Sequence, residues 1–344
     1  MKGSFVLSGA DVALSLVACA AAAVMWSAHD HATFAIGLCV VLAAPLVEPI
    51  VHPQRRSSEG RSRATVLACV ALAAAVAFGL APQSAAVAIV AMGVLGAGFP
   101  LHVVYEAMRP HAGNRAFALL LLSQPGLAVA VQILSPQTVT LDVATRTALT
   151  SWFVLSAMAQ TGLALVRTDP MRALFGVGLS QSALLVAGAL ASEHGFTAEY
   201  LMLAGSDLGL LALTLVLGDL VRRHGALELR PDNGLAVIER RSAQLFVVAG
   251  WLFCGLPGGI VFFAEDLIFH ALVQHSAWNT AGMVFVSVLN AIAFYRVYLG
   301  LYSGRMRPGA FTASELPTAI RVVVIALILA TVVFGCWPQG MAPH

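Results

Sequence analysis

Charged residues are scarce in this chain. Of its 344 residues, 10% are Asp, Glu, Lys or Arg and 59% are hydrophobic, and the mean hydropathy is +0.86. An ordinary soluble domain carries about 25% charged residues, which keep its surface polar. The shortage argues against a soluble domain, a disordered chain and a nucleic-acid-binding protein. It indicates a polytopic membrane protein whose first partner is the lipid bilayer.

Lysine is almost absent as well. Lys2 is the only lysine among 19 basic residues, so every other basic residue is an arginine. The five cysteines lie far apart in apolar stretches, with neither a Cys-x-x-Cys pair nor the spacing of metal ligands. Such cysteines are typical of small buried hydrophobic positions. We therefore expect no metal centre, and no cofactor either, since the sequence lacks a nucleotide-binding or cofactor motif.

Long hydrophobic runs predict about eleven membrane helices, because one span of the bilayer needs about 20 apolar residues. The ninth run is too long for one straight helix and contains Gly255-Leu256-Pro257-Gly258-Gly259. We expect this helix to break within the membrane, where a break requires protein or water to satisfy the backbone. The predicted spans are residues 12–27, 32–52, 64–81, 85–104, 114–134, 144–166, 172–192, 199–221, 243–273, 278–302 and 319–337.

The arginines predict the orientation of these spans. They concentrate in alternate loops, and loops rich in basic residues face the cytoplasm. The N-terminus is therefore expected on the cytoplasmic side and the C-terminus on the opposite side. One arginine group has two interpretations, a topology signal or a docking face for an acidic partner. It consists of Arg222, Arg223, Arg240 and Arg241.

Four segments carry a pattern that can be compared with known families. They are Gly98-Phe99-Pro100-Leu101-His102 followed by Glu106; Arg167-Thr168-Asp169-Pro170 followed by Gln181; Cys254-Gly255-Leu256-Pro257-Gly258-Gly259 followed by Glu265; and Phe294-Tyr295-Arg296 followed by Tyr302. In this order and spacing they resemble the antiporter-like membrane subunits of respiratory complex I, the Mrp-type cation/proton antiporters and the membrane-bound hydrogenases. The resemblance covers roughly residues 85–305.

The resemblance implies an all-α polytopic membrane protein built as an inverted-repeat, antiporter-like bundle in a bacterial inner membrane. It divides the chain into divergent N-terminal membrane helices at residues 1–84, an antiporter-like core at 85–305, and a C-terminal loop with the last membrane helix at 306–344. Members of the family usually have thirteen or fourteen helices. We therefore expect this chain to be shortened by two or three helices.

The family moves protons through buried ionisable side chains, typically lysines, glutamates and a histidine. This chain has Gln124 at the position matching the first-half lysine and Gln181 at the position matching the middle histidine. A glutamine can form hydrogen bonds but cannot hold a charge. The resemblance therefore implies a degenerate relay, in which Glu265 is the ionisable group that has been kept.

Glu265 and its neighbours are the first candidates for a proton path. Glu265 follows the predicted break, and only one of the adjacent acids Glu265 and Asp266 can face the interior. Asp266 and His270 lie four residues apart and share a helix face. The alternatives are structural: an ion pair or a helix cap for Glu265, and a solvated position for His270.

Three further candidates lie elsewhere in the chain. Asp207 falls within a predicted span, where a charge costs on the order of 3 kcal/mol. His102 and Glu106 lie near the cytoplasmic end of another span and could form an entrance or exit. The alternatives are an interhelical hydrogen bond for Asp207 and an anchor at a helix break for His102 and Glu106.

Two functions remain open. The first is a membrane subunit of a complex I-like assembly, contributing a partial proton path or a scaffold beside other membrane subunits. A soluble redox module would then dock on the cytoplasmic side and make the assembly a proton-translocating oxidoreductase. The second is the membrane partner of a DAB-type bicarbonate or CO2 uptake system, with a zinc-containing soluble partner. In either case we expect no independent catalysis.

Overall fold

The computed structural model describes residues 9–28, 30–51, 58–108, 124–134, 141–192, 196–231, 233–305 and 316–336. Within these ranges the chain forms thirteen α-helices and one 3-10 turn at Leu235–Val237, without a β-strand. The predicted all-α architecture is therefore confirmed. The helices are α1 (Gly9–Trp26), α2 (His31–Val51), α3 (Ser58–Leu80), α4 (Ala85–Leu95), α5 (Val103–Met108), α6 (Gln124–Leu134), α7 (Val143–Val166), α8 (Pro170–Ala191), α9 (Thr197–His224), α10 (Arg240–Phe253), α11 (Ile260–His275), α12 (Ala277–Tyr302) and α13 (Thr318–Cys336).

Five of the described helices are long and apolar enough to cross a membrane, namely α7, α8, α9, α12 and α13. Each coincides with a predicted span, and the chain is a multi-pass membrane protein. The most apolar stretch of α8 is completely buried inside the bundle, whereas that of α13 is only 17% buried. An apolar helix that is this exposed needs lipid or another membrane helix against it. The total of eleven spans stays a prediction.

The ninth predicted span is broken, as expected from its glycines. Helix α10 ends at Phe253 and α11 begins at Ile260. Between them Gly255 and Gly258 have φ angles of +73° and +99°, in the left-handed region that favours glycine. We call residues 254–259 the second break.

The fourth predicted span, residues 85–104, is interrupted as well. Helix α4 ends at Leu95, Ala97 has a φ angle of +58°, and α5 begins only at Val103. We call residues 96–102 the first break. The apolar run did not predict it, because hydropathy records the length of a run and not the direction of its backbone.

A glycine from another helix packs directly on each break. A Cβ at Gly126 of α6 would lie 2.4 Å from Gly96 Cα, and a Cβ at Gly335 of α13 would lie 2.7 Å from the carbonyl carbon of Gly259. Contacts this close are possible only for a residue without a side chain. The glycines therefore let two irregular segments be covered by helices instead of being left open to lipid.

Replacing Gly335 with alanine is expected to destabilise the protein by about 1–3 kcal/mol. The added Cβ would clash with backbone atoms of the second break, which cannot change rotamer as a side chain can. The matched control is Gly162→Ala on α7, where the added Cβ meets nothing within 4 Å. Helix propensity favours alanine there by up to about 1 kcal/mol. Denaturant unfolding of both variants in detergent micelles measures the difference, and equal stabilities would contradict the packing of α13 on the break.

Ion pairs join the end of α9 to the start of α10. Asp219 and Glu239 are buried, and Arg223 donates hydrogen bonds of 2.7 Å to Asp219 Oδ2 and 3.0 Å to Glu239 Oε2. Arg222 donates to Asp219 at 2.6 Å, and His224 Nε2 lies 3.3 Å from Glu239 Oε1. We call these five residues the α9–α10 ion cluster.

The α9–α10 ion cluster shows which of the four arginines proposed as a docking face already bind carboxylates within the chain. Arg222 and Arg223 bind carboxylates of their own chain, whereas Arg240 and Arg241 are exposed. Of the four arginines, Arg223 is the one withdrawn from an acidic partner, because its side chain is only 11% exposed, whereas that of Arg222 is 33% exposed. The spacing of Asp219 from Arg222 and Arg223 is visible in the sequence, whereas the contact of Arg223 with Glu239 depends on how α9 packs beside the start of α10.

Candidate functional site

Glu265 lies at the second break. It is partly buried on α11, and its carboxylate points back to Gly255, so that a Cβ added at Gly255 would lie 2.4 Å from Glu265 Oε2. From α12, Ser287 donates a hydrogen bond of 3.2 Å to Glu265 Oε1. The glycine thus provides room for the carboxylate as well as the backbone turn.

The neighbouring acid points away from this site. The Asp266 side chain is 58% exposed and that of His270 is 68% exposed, with His270 Nδ1 lying 3.7 Å from Asp266 Oδ1. The predicted shared face of Asp266 and His270 is therefore present, and it lies outside the bundle. Of the two adjacent acids, Glu265 is the one that faces the interior.

A buried network of polar side chains approaches the second break from the opposite side. Gln181 of α8 donates a hydrogen bond of 2.6 Å to the carbonyl of Phe253, the last residue of α10. Asn290 Oδ1 of α12 accepts a hydrogen bond of 2.6 Å from Thr161 of α7, whose hydroxyl also lies 2.7 Å from that of Ser180. Thr161, Ser180, Gln181 and Asn290 form what we call the central polar network.

The same part of α7 holds the first break. Gln160, next to Thr161 in the chain, donates a hydrogen bond to the carbonyl of Ala97. The Phe99 backbone N–H donates to Ser156 Oγ at 2.9 Å, and Trp152 Nε1 donates to the Phe99 carbonyl at 2.9 Å. Backbone groups freed by a break need partners when they are buried. Two glutamines on adjacent helices thus supply such a partner, one at each break.

Within the described part of the chain, three atoms of these amides are buried without a hydrogen-bond partner: Gln160 Oε1, Gln181 Oε1 and Asn290 Nδ2. Buried polar atoms in proteins are nearly always paired, either with protein groups or with ordered water. The three atoms are therefore positions that can bind water beside the two breaks. Among the side chains of the central polar network and Glu265, only Glu265 can change its charge.

Two residues singled out separately in the sequence meet in space. Gln124, at the start of α6, donates a hydrogen bond of 3.4 Å to Asp207 Oδ2 of α9. Both side chains are partly buried. Asp207 therefore has an amide partner from another helix. That partner, Gln124, stands where the family resemblance places a lysine.

His102 belongs to the first break. Its side chain is buried, and its ring stacks on that of Phe99 with 5.1 Å between ring centroids. The side chain of Glu106, which was paired with it as a candidate, lies outside the described residues. The structure thus places His102 at a helix interruption, as the structural alternative expected.

Replacing Gln181 with leucine is expected to destabilise the protein by about 1–3 kcal/mol, because the buried carbonyl of Phe253 loses its donor. The matched control is Gln244→Leu, which changes an exposed glutamine on α10. Thermal unfolding of the purified variants in detergent measures the difference. If the two variants unfold alike, the Gln181 hydrogen bond contributes nothing to the second break.

Sequence reasoning missed several residues of the site, namely Gln160, Thr161 and Asn290. Each is a polar residue within a predicted span, which is a signal that could have found it. It also missed Glu199, a fully buried carboxylate on α9.

The chain is similar to a known family of membrane proteins. Residues 87–290 match the family described as NADH:quinone oxidoreductase/Mrp antiporter, transmembrane. A curated relative, NADH-quinone oxidoreductase subunit M of Mycobacterium tuberculosis, is 24% identical over 178 residues. The match covers 52% of this chain and 32% of the subunit, so it spans about a third of the relative's length.

Three solved structures have the same fold. A chain of respiratory complex I from Thermus thermophilus is 22% identical, with a TM-score of 0.82, covering 98% of this chain and 77% of that chain. A chain of the Mrp complex from Dietzia sp. DQ12-45-1b is 18% identical, with a TM-score of 0.76 and coverage of 95% and 75%. A chain of the archaeal membrane-bound sulfane sulfur reductase is 18% identical, with a TM-score of 0.81 and coverage of 95% and 60%. All three belong to membrane complexes, and the similarity concerns the fold alone.

Proposed function

The chain belongs to the NADH:quinone oxidoreductase/Mrp antiporter transmembrane family, and from this premise we propose that it is an antiporter-like membrane subunit with a shortened proton path. The observation that supports this most is Glu265, a carboxylate held against Gly255 in a broken helix. A charge within a membrane protein is costly unless neighbours and water stabilise it. A group that gains and loses a proton is best placed where the helix is interrupted and polar groups converge.

In the proposed path, Glu265 is the group that changes its charge. The amides and hydroxyls of the central polar network bind water and pass hydrogen bonds, but they do not store a proton. Lysine does not take part, since Lys2 is the only lysine and lies outside every predicted span. Asp207 with Gln124 and His102 at the first break are proposed as the polar positions that lead to the network.

We further propose that the chain works beside other membrane subunits. Helix α12 exposes apolar side chains, including Phe285, Val288 and Ile292, and α13 is exposed along most of its surface. Such faces are suited to packing against another membrane helix. Residues 85–305 would form the conducting core, in a bacterial inner membrane with the N-terminus in the cytoplasm. A soluble redox module would dock on the cytoplasmic side.

The proposed partners can be tested by purification. The tagged full chain, extracted from membranes in mild detergent, is expected to bring several hydrophobic subunits and a redox module, identified by mass spectrometry. A single large zinc-containing partner would instead favour the DAB-type alternative, to which the relatives described above give no support. Recovery of the chain alone would contradict the assembly.

The proposed conduction is tested with the complex reconstituted into liposomes. A potassium diffusion potential is imposed with valinomycin, and a pH-sensitive dye inside the liposomes reports proton entry. We expect faster acidification than in protein-free liposomes. Equal rates, with the complex shown to be incorporated, would contradict a proton path in this chain.

A further inference from the structure

We propose that Glu199 is a second proton-binding carboxylate of this chain. Protons would pass through it between Glu265 and the membrane face where α8 ends and α9 begins. This inference rests on the proposed function. Neither the family resemblance nor the sequence patterns singled out this residue.

The surroundings of Glu199 are those of a carboxylic acid that keeps its proton. The side chain lies in the first turn of α9 and is 0% exposed. Its Oε1 accepts a hydrogen bond of 2.7 Å from the hydroxyl of Ser192, which follows α8 directly. Its Oε2 is buried without a hydrogen-bond partner among the described residues. An ionised carboxylate with one hydroxyl partner is expensive to bury, so the neutral acid is the stable form.

The arginine that lies at the end of α8 is engaged by backbone carbonyls. Arg146 of α7 donates to the carbonyls of Leu190 and, at 2.6 Å, Ser192. Asp142 caps α7 by accepting from the backbone N–H of Thr145 at 3.1 Å. Arg146 therefore closes the end of α8, and in the described part of the chain it forms no ion pair with Glu199.

A glycine makes room for the carboxylate. A Cβ at Gly188 of α8 would lie 3.1 Å from Glu199 Oε1 and 3.0 Å from Ile268 Cγ1 of α11. Glu199 therefore reaches the face of α8 that packs on α11. Ile268 follows Glu265 by three residues, an axial rise of about 4.5 Å. Glu199 therefore lies beside the glycine that packs on α11 about one turn from Glu265 along the helix axis.

The transfer that we propose moves one proton at a time. Glu199 first releases its proton at the membrane face, and the ionised side chain then takes a proton from protonated Glu265 through intervening water, which leaves Glu265 ionised and Glu199 neutral again. The titratable and charged groups on the helices around Glu199 include Tyr200 and Asp207 on α9, Arg146 on α7, and Glu265, Asp266, His270 and His275 on α11. Asp266 and His270 are exposed on the outside of the bundle, and the proposed path does not use them.

Infrared spectroscopy of the purified complex tests whether Glu199 holds a proton. The C=O stretching band of a protonated carboxyl group is expected at neutral pH, and it should be lost in Glu199→Gln but kept in Glu265→Gln. Ser192→Ala keeps the carboxyl group and should shift the band, because Oε1 loses its donor. An identical spectrum for wild type and Glu199→Gln, or an unshifted band in Ser192→Ala, would overturn the assignment.

Proton flux into liposomes tests whether the site lies on the path. Glu199→Gln is expected to slow the flux by about tenfold or more, as the loss of a positioned proton-transfer group does. Glu199→Asp, which keeps a protonatable group, should recover part of the flux. A normal flux in Glu199→Gln, with Glu265→Gln inactive, would overturn this inference alone. A normal flux in both variants would overturn the proposed function itself.

Discussion

Glutamine in place of Glu265 is expected to lower proton flux through the reconstituted complex to the level of protein-free liposomes. The substitution keeps the size of the side chain and a carbonyl oxygen that can still accept the Ser287 hydrogen bond at Oε1. It removes the ability to bind and release a proton, which no amide of the central polar network can replace. Because Glu265 is the one central protonatable group of the path, the proton flux should be abolished and not only reduced.

The matched control is Asp266→Asn. It changes the neighbouring carboxylate in the same way, on the exposed side of α11, and should retain most of the flux. Both variants need the same thermal stability as the wild type for the comparison to hold. If Glu265→Gln conducts normally, and Asp207→Asn does too, the chain is a membrane scaffold and not a conductor.

Methionine in place of Arg223 is expected to lower the free energy of unfolding by about 3–5 kcal/mol, because two buried carboxylates lose the cation between them. Arg223 binds both Asp219 and Glu239, whose side chains are 0% and 1% exposed. Arg222 and His224 remain, but each contacts only one of the two acids. The variant should unfold at lower denaturant concentration in detergent micelles.

Arg230→Met is the matched control for this effect. It removes an arginine whose partner is Glu228, at 2.6 Å, with both side chains more than half exposed. Exposed ion pairs contribute about 0–1 kcal/mol. If Arg223→Met and Arg230→Met cost the same, burial does not strengthen the α9–α10 ion cluster and its role in joining the two helices is disproved.

The second break shows how much of the site could be predicted from the sequence. Gly255 and Pro257 within a run too long for one helix predicted an interruption, because glycine favours positive φ angles and proline removes a backbone donor. The acid eight positions after Pro257 then marked Glu265 as the residue beside it. Helical periodicity also placed Asp266 with His270 on one face, since residues four apart are neighbours on a helix.

The first break shows what the sequence could not predict. Its interruption is held by Gln160, Ser156 and Trp152 of α7, more than fifty residues later in the chain. Local propensity contains no information about such partners. The same holds for Arg146 of α7, whose partners are two carbonyls at the end of α8, more than forty residues later in the chain.

Composition alone determined that this is a membrane protein, and the single Lys2 determined that no path through its spans can depend on lysine. Both conclusions hold for any arrangement of the helices. Only the tertiary structure decided which group each polar side chain meets in the interior. Glu265 lies against Gly255, Gln181 binds the Phe253 carbonyl, and Glu199 binds the Ser192 hydroxyl. The physical reason is that a helix sequence fixes the direction of each side chain about its own axis. The neighbour that the side chain meets depends on how the helices pack.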